Sequence, residues 1–342
     1  MKVETIVAAM RFGALAVVAA TALLVWGTVA SAAEDPLPSW NDTGAKRAIV
    51  EFAGAVTDPA SPSFVAPDRR VATFDNDGTL WVSHPIYTQF QYVFDRIRQL
   101  APEHPEWRHE QPYKAILEGD RAFLKQLTVA DALKVVTDTH AGMTPQQFEA
   151  AVQGWLATAR HPRYHVAYTD LVYQPMLELM TYLRGLDFKV FIVTGGGQAF
   201  VRAYAGPVYG VQPWQVVGTS VKTEYRLDAG KGEIVRLPDP GMTVNGPGKA
   251  LGINGHIGLR PIAAFGNSDG DIEMLEYTDS GSGRRLMMLV HHDDPEREYS
   301  YTCDTQVGRL CKGLELAKER GWILISMKRD WKTLFPFEGS KP

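Results

Sequence analysis

Cysteine is nearly absent from this chain: Cys303 and Cys311 are the only two in 342 residues. A cysteine-rich zinc site is therefore excluded, and no His/Cys spacing suggests another. An excess of charge of one sign is also lacking. The formal net charge is −4, so there is no global basic field, and nucleic acid is not an expected partner. No sequence repeat, low-complexity tract or long run of like charge occurs. Past the N-terminus, no apolar run approaches the length of a membrane span. What is present is ordinary globular chemistry, with length enough for one or two domains.

The one long apolar run lies at the start. Lys2 and Arg11 precede an uncharged stretch from Phe12 to about Val29, and VASAAEDPLP follows with small residues at Ala30 and Ala32. A basic start, an apolar centre and an A-x-A exit describe a secretory signal over residues 1–32. Cleavage is expected after Ala32 or Ala33, giving a periplasmic or secreted protein with no membrane partner. The competing reading is an uncleaved N-terminal anchor. Export would place Cys303 and Cys311 in an oxidising compartment, where a short-loop disulfide persists.

The rest divides by pattern. AKRAIVEFAGA, Ala45–Ala55, reads as a helix, and Val71–Phe74 as a short strand. From Ile86 to about Gly185 the text is aromatic-rich and helical in period, with Thr144-Pro145 as a helix start. Strands then alternate with helices: Phe188–Val193, Val216–Val221, Pro261–Phe265, Leu286–Val290 and Trp322–Met327, with a hairpin around Asp228–Gly232. That alternation predicts an α/β fold with a Rossmann-like parallel sheet. Residues 33–82 and 186–342 would form this core, and 83–185 an inserted, mainly helical cap.

Three strands end in polar chemistry. The first runs into Asp75-Asn76-Asp77-Gly78-Thr79, the second into Thr194-Gly195-Gly196-Gly197, and the third into Gly266-Asn267-Ser268-Asp269-Gly270-Asp271. Between the last two lies GPGKALG, with Lys249 at a helix start. In a parallel sheet the strand C-termini share one edge, so these groups would converge. A calcium loop of the EF-hand type is not formed, because placing Gly78 at its glycine position puts Thr73 first and His84 last.

The set suits phosphoryl transfer through a covalent carboxylate. One aspartate attacks phosphorus. A second protonates the leaving oxygen and later deprotonates water. Mg²⁺ held by few carboxylates bridges nucleophile and phosphate. Backbone N–H groups at Thr194-Gly195-Gly196 cradle phosphate oxygens, and Lys249 adds a point charge.

DNDGT, VTGGG, the lysine of GPGK and GNSDGDIEM resemble, in order, the four motifs of the haloacid dehalogenase (HAD) superfamily. The resemblance implies Asp75 as nucleophile and Asp77 as general acid and base, its carbonyl facing Mg²⁺. It implies Thr194, with Gly195, and Lys249 as phosphate ligands, and Asp271 as a metal acid. Asn267 is a departure, because the family commonly has aspartate there; its amide oxygen still suits a metal. The implied metal set is Asp75, Asp77, Asn267 and Asp271. The acid at position 77 favours a phosphatase over a dehalogenase. The helical insertion and later hairpin are similar to the phosphoserine phosphatase-like branch, which has a C1 cap. The expected activity is Mg²⁺-dependent hydrolysis of a small phosphate ester. Phosphoryl transfer to a non-water acceptor, or an inactive binding protein on the same fold, are the alternatives. Trp81 reads as a core aromatic or a pocket wall, and Arg160, His161, Arg163 and His165 as a linker or an anion contact.

Overall fold

The computed structural model describes residues 35–340 apart from Lys125. The leader expected over residues 1–32 lies outside them. Among the described residues no helix is long and apolar enough to cross a membrane.

The chain opens with α1 (Gly44–Thr57), which buries Ile49, Phe52 and Val56, and enters the sheet through β1 (Val71–Phe74). All four β1 residues are buried, as a strand covered on both faces requires. Then follow α2 (Thr88–Leu100), α3 (Tyr113–Glu118), α4 (Arg121–Leu124), α5 (Val129–Asp138), α6 (Pro145–Thr158) and α7 (Gln174–Gly185). No strand occurs among the described residues of this stretch. Local chemistry sets its helix starts. Thr144 accepts from the Gln147 N–H while the Gln147 side chain returns to the Thr144 N–H, with Pro145 in the first turn. Thr128 and Asp131 do the same for α5.

The remainder alternates: β2 (Lys189–Gly197), α8 (Gln198–Tyr209), β3 (Val216–Thr219), β4 (Val221–Asp228), β5 (Lys231–Pro240), α9 (Pro247–Gly252), β6 (Ala263–Gly266), α10 (Ile272–Asp279), β7 (Leu286–His291), α11 (Lys312–Arg320), β8 (Ile323–Ser326) and α12 (Met327–Asp330). β4 and β5 form a separate antiparallel hairpin, turned by Ala229 and Gly230, both at positive φ.

The main sheet has six strands in the order β3-β2-β1-β6-β7-β8, all parallel. This is the expected α/β, Rossmann-like arrangement. The chain moves outward from β1 through β2 to β3, then returns to the other side of β1 with β6. The switch point therefore falls between β1 and β6, where open parallel sheets bind ligands. Phe74 stacks on Phe265 across that junction at 4.4 Å, directly beneath the residues that follow each strand. At the C-terminal end, Trp331, Leu334 and Phe335 are buried, and Trp331 meets Trp40 edge-on.

Candidate active site

The chain leaves β1 at Asp75, whose N–H donates to the Phe265 carbonyl at 2.9 Å. The turn that follows closes on itself. The Asn76 carbonyl accepts from the Leu80 N–H, and the Gly78 N–H donates to the Trp81 carbonyl. Gly78 has φ +81°, and a Cβ there would fall 2.2 Å from the Asn267 amide nitrogen. Glycine is thus required twice, by conformation and by the neighbouring loop.

Lys249, fully buried, reaches this turn from α9. Its Nζ lies 2.5 Å from Asp75 Oδ1, 2.5 Å from Asp271 Oδ1 and 2.9 Å from the Val193 carbonyl. All three ammonium donors are used. Burial raises the Asp75 carboxyl, the nearby Asp271 charge raises it further, and Lys249 opposes both. Burial alone would lower the Lys249 ammonium, but Asp271 and Asp75 hold it above its ordinary value.

Asp271, the expected metal acid, accepts four hydrogen bonds. Its Oδ1 accepts from Lys249, and its Oδ2 accepts from the Asn267 N–H, the Ser268 N–H and the Ser268 hydroxyl. Through these bonds Asp271 anchors Lys249 and the loop after β6. Asp269 turns elsewhere, accepting from the Cys311 and Gly313 N–H groups at the start of α11.

Thr194 is buried at the end of β2, and its hydroxyl accepts from the Gly196 N–H at 2.9 Å. A Cβ placed on Gly196 would lie 3.2 Å from Thr194 Oγ1 and 3.4 Å from Asp77 Oδ2. Thr194 and the second acid therefore both lie close against Gly196. The Gly195 carbonyl is held by the Thr219 hydroxyl at 2.8 Å. Burial raises the Asp77 carboxyl above its ordinary value, while hydrogen bonds from Trp81 and Asn76 pull it down.

Asn267 is the test of a metal. Among the described residues no three His, Cys, Asp or Glu side chains converge on a metal position. The donor set here is instead one carboxylate, one carbonyl and one amide. One end of the Asn267 amide lies 3.2 Å from Asp75 Oδ2, 2.9 Å from the Asp77 carbonyl oxygen and 3.0 Å from Thr79 Oγ1. Octahedral Mg²⁺ with bonds of about 2.0–2.1 Å needs adjacent oxygens about 2.9 Å apart. These oxygens fit when the amide oxygen faces them. When its nitrogen faces them, the same amide donates to both acceptors and satisfies them without a cation.

Three contacts escape the sequence pattern. The buried Trp81 donates from its indole nitrogen to Asp77 Oδ1 at 2.9 Å. Gln89, on α2, accepts from the Gly197 N–H at 2.6 Å, linking the helical insertion to the β2 loop. His292 binds the Gly78 carbonyl through Nε2 at 2.8 Å and Glu298 through Nδ1 at 3.0 Å. The signals were faint: a tryptophan two residues beyond DNDGT, and paired histidines where β7 ends. The basic cluster of residues 160–165 serves other ends. His161 meets the His84 carbonyl, and Arg163 binds the Pro295, Glu296 and Glu298 carbonyls. Cys303 and Cys311 are joined as a disulfide, with Cα atoms 5.1 Å apart.

No curated protein matches this chain. A conserved protein of unknown function from Anaerococcus prevotii shares its fold, with 15% identity, a TM-score of 0.51, and coverage of 73% of this chain and 86% of that one. The probable phosphoserine phosphatase of Vibrio cholerae matches with 15% identity, a TM-score of 0.36, and coverage of 68% and 62%. A phospho-aspartyl intermediate analogue of phosphoserine phosphatase matches with 17% identity, a TM-score of 0.35, and coverage of 79% and 96%. The family model of haloacid dehalogenase-like hydrolases spans residues 72–276, from β1 through α10, and so takes in every strand-end group described above: the chain belongs to the haloacid dehalogenase-like hydrolases.

Proposed function

We propose that this protein is a Mg²⁺-dependent phosphomonoester hydrolase acting on a small phosphorylated metabolite through an aspartyl-phosphate at Asp75. The observation that carries the reading is the junction of Lys249, Asp75 and Asp77 beside Thr194 and Gly196. A nucleophile, a second acid and a phosphate cradle lie side by side there. Asp75 attacks phosphorus. Asp77 gives its proton to the leaving oxygen, then takes one from the water that attacks the intermediate. Thr194 and Gly195 hold the phosphoryl oxygens, and Lys249 joins them by turning its Asp75 contact to the group bound there. The Asp75 carboxylate, the Asp77 carbonyl and the Asn267 amide oxygen would hold Mg²⁺, whose charge offsets that building on the transferred group. Asp271 keeps Lys249 in place. Residues 83–185 serve as the cap that selects the substrate, with Gln89 touching the phosphate loop, and residues 33–82 and 186–342 as the core. The leader over residues 1–32 exports the chain.

The test is phosphate release from phosphoserine, phosphocholine, nucleotides and an aryl phosphate, with Mg²⁺ and with chelator. Magnesium-dependent release is expected, and Asp75→Asn abolishes it while the variant still folds. No release from any ester by folded, Mg²⁺-loaded protein overturns the reading in favour of a binding role. Release that yields a new ester with a competing alcohol identifies a phosphotransferase.

A further inference from the structure

We propose that Trp81 is a positioning residue for proton transfer by Asp77: it occupies one carboxylate oxygen so that the proton resides on the other, beside the phosphate cradle. The inference rests on the reading of Asp77 as general acid and base.

The geometry is specific. Indole Nε1–H donates to Asp77 Oδ1 at 2.9 Å. The Trp81 ring is fully buried, stacks on Tyr204 with centroids 4.5 Å apart and leans on Phe200. Its backbone bridges to Asp77 on one side and Val172 on the other. Turning this ring would dismantle the packing around it, so the donor has a fixed direction. Asp77 Oδ2 lies at the other end of the carboxyl group. It lies on the Gly196 side, 3.4 Å from where a Cβ on that residue would stand.

The consequence follows from the chemistry of indole. It donates and does not accept, and it carries no proton that moves near neutral pH. The oxygen that accepts the indole N–H is favoured as the carbonyl oxygen of a protonated carboxyl, so the contact biases the Asp77 hydrogen toward Oδ2. In the first half-reaction, an Asp75 oxygen bonds to phosphorus and the bond from phosphorus to the leaving oxygen breaks. The Oδ2 proton passes to that oxygen, and an alcohol departs. In the second half-reaction, water oxygen bonds to phosphorus and the bond to Asp75 breaks. Asp77 Oδ2 takes the water proton, which leaves inorganic phosphate, a free Asp75 carboxylate and a reprotonated Asp77. The indole contact is the same in both halves, which suits a group that must act first as acid and then as base.

The test uses leaving groups of different basicity on the full chain. An alkyl phosphate needs protonation of its leaving oxygen, whereas 4-nitrophenyl phosphate releases 4-nitrophenolate, a stable anion. Trp81→Phe removes the N–H and keeps an aromatic ring against Tyr204. A second variant places 3-benzothienylalanine at position 81, with sulfur in place of N–H and the shape of tryptophan, so that it reports even if Trp81→Phe does not fold. Both are expected to lower kcat/KM for the alkyl ester by roughly 10- to 100-fold. The aryl ester should change by no more than about 3-fold, and Asp77→Asn should show the same split more strongly. Equal losses on both esters, or no loss with the benzothienyl residue, overturn the positioning role. If wild type releases phosphate and Asp77→Asn shows no split, Asp77 is not the acid and the inference falls with it. If wild type hydrolyses neither ester, the phosphatase reading itself is overturned.

Discussion

Lys249 Nζ lies 2.5 Å from Asp75 Oδ1, with both side chains shut away from solvent. The same ammonium lies 2.5 Å from Asp271 Oδ1. One positive charge thus holds two buried carboxylates together. Removing one partner of such a group strands uncompensated charge, which costs about 3–5 kcal/mol. Lys249→Met should lower stability by that order in denaturant unfolding. Lys249→Met/Asp271→Asn should recover part of it, because one stranded carboxylate becomes neutral. An unchanged midpoint in the single variant would mean the pair contributes nothing.

If the proposed Mg²⁺ site is correct, Asn267 should set how stability depends on metal. Its amide neighbours Asp75 Oδ2 and the Asp77 carbonyl, so an amide N–H can satisfy both when no cation is bound. Asn267→Asp replaces that donor with a carboxylate next to an existing one. The variant should melt lower than wild type in chelator and gain more from Mg²⁺, with tighter Mg²⁺ binding by calorimetry. Equal melting in chelator would contradict the donor role of the amide.

Acid should weaken the fold through His140. This side chain is 2% exposed. It binds the Tyr92 hydroxyl through Nε2 and the Val136 carbonyl through Nδ1. Burial pushes its pKa from 6.5 down to about 4. Between those values the unfolded chain binds a proton that the native one refuses. The stability this provides is present above pH 6.5 and is lost as pH falls through 4. The loss is about 3 kcal/mol from this group. Unfolding midpoints at pH 7 and pH 4.5 should differ more in wild type than in His140→Gln. Parallel shifts would assign the acid sensitivity to other groups.

Reduction of the Cys303–Cys311 bridge opens a loop of sequence separation 8. In the chain-entropy account a loop of that size is worth about 2–3 kcal/mol. Cys303→Ser/Cys311→Ser should lose stability of that order. Asp269 already binds the Cys311 and Gly313 N–H groups, so the start of α11 should persist and any activity should survive. Loss of activity out of proportion to stability would tie the bridge to the site.

The parts legible in the sequence were local. Val71–Phe74 reads as a strand because a short run, apolar but for Thr73, stops at Asp75, Asn76 and Asp77, which favour turns. The start of α6 is written in Thr144, Pro145 and Gln147, within a few bonds of one another. The alternation of strands and helices after Phe188 carried the sheet, since a parallel strand pair needs a crossover between its members.

By itself, then, the sequence determined which groups stand at the strand ends, Asp75, Asp77, Thr194, Asn267 and Asp271, and that Lys249 stands at a helix start. Short-range turn chemistry and hydrophobic pattern suffice for that. Only the tertiary structure decided how they are partnered. The strand order places β6 beside β1 and brings Asn267 to Asp75 across 192 residue numbers, a relation no local pattern encodes. Asp271 turned out to be an anchor for Lys249, Trp81 a donor to Asp77, and His292 a clasp on the Gly78 carbonyl. Each of these depends on the direction of a side chain inside a packed interior. There an unpaired polar group is costly, and the whole fold decides which partner it meets.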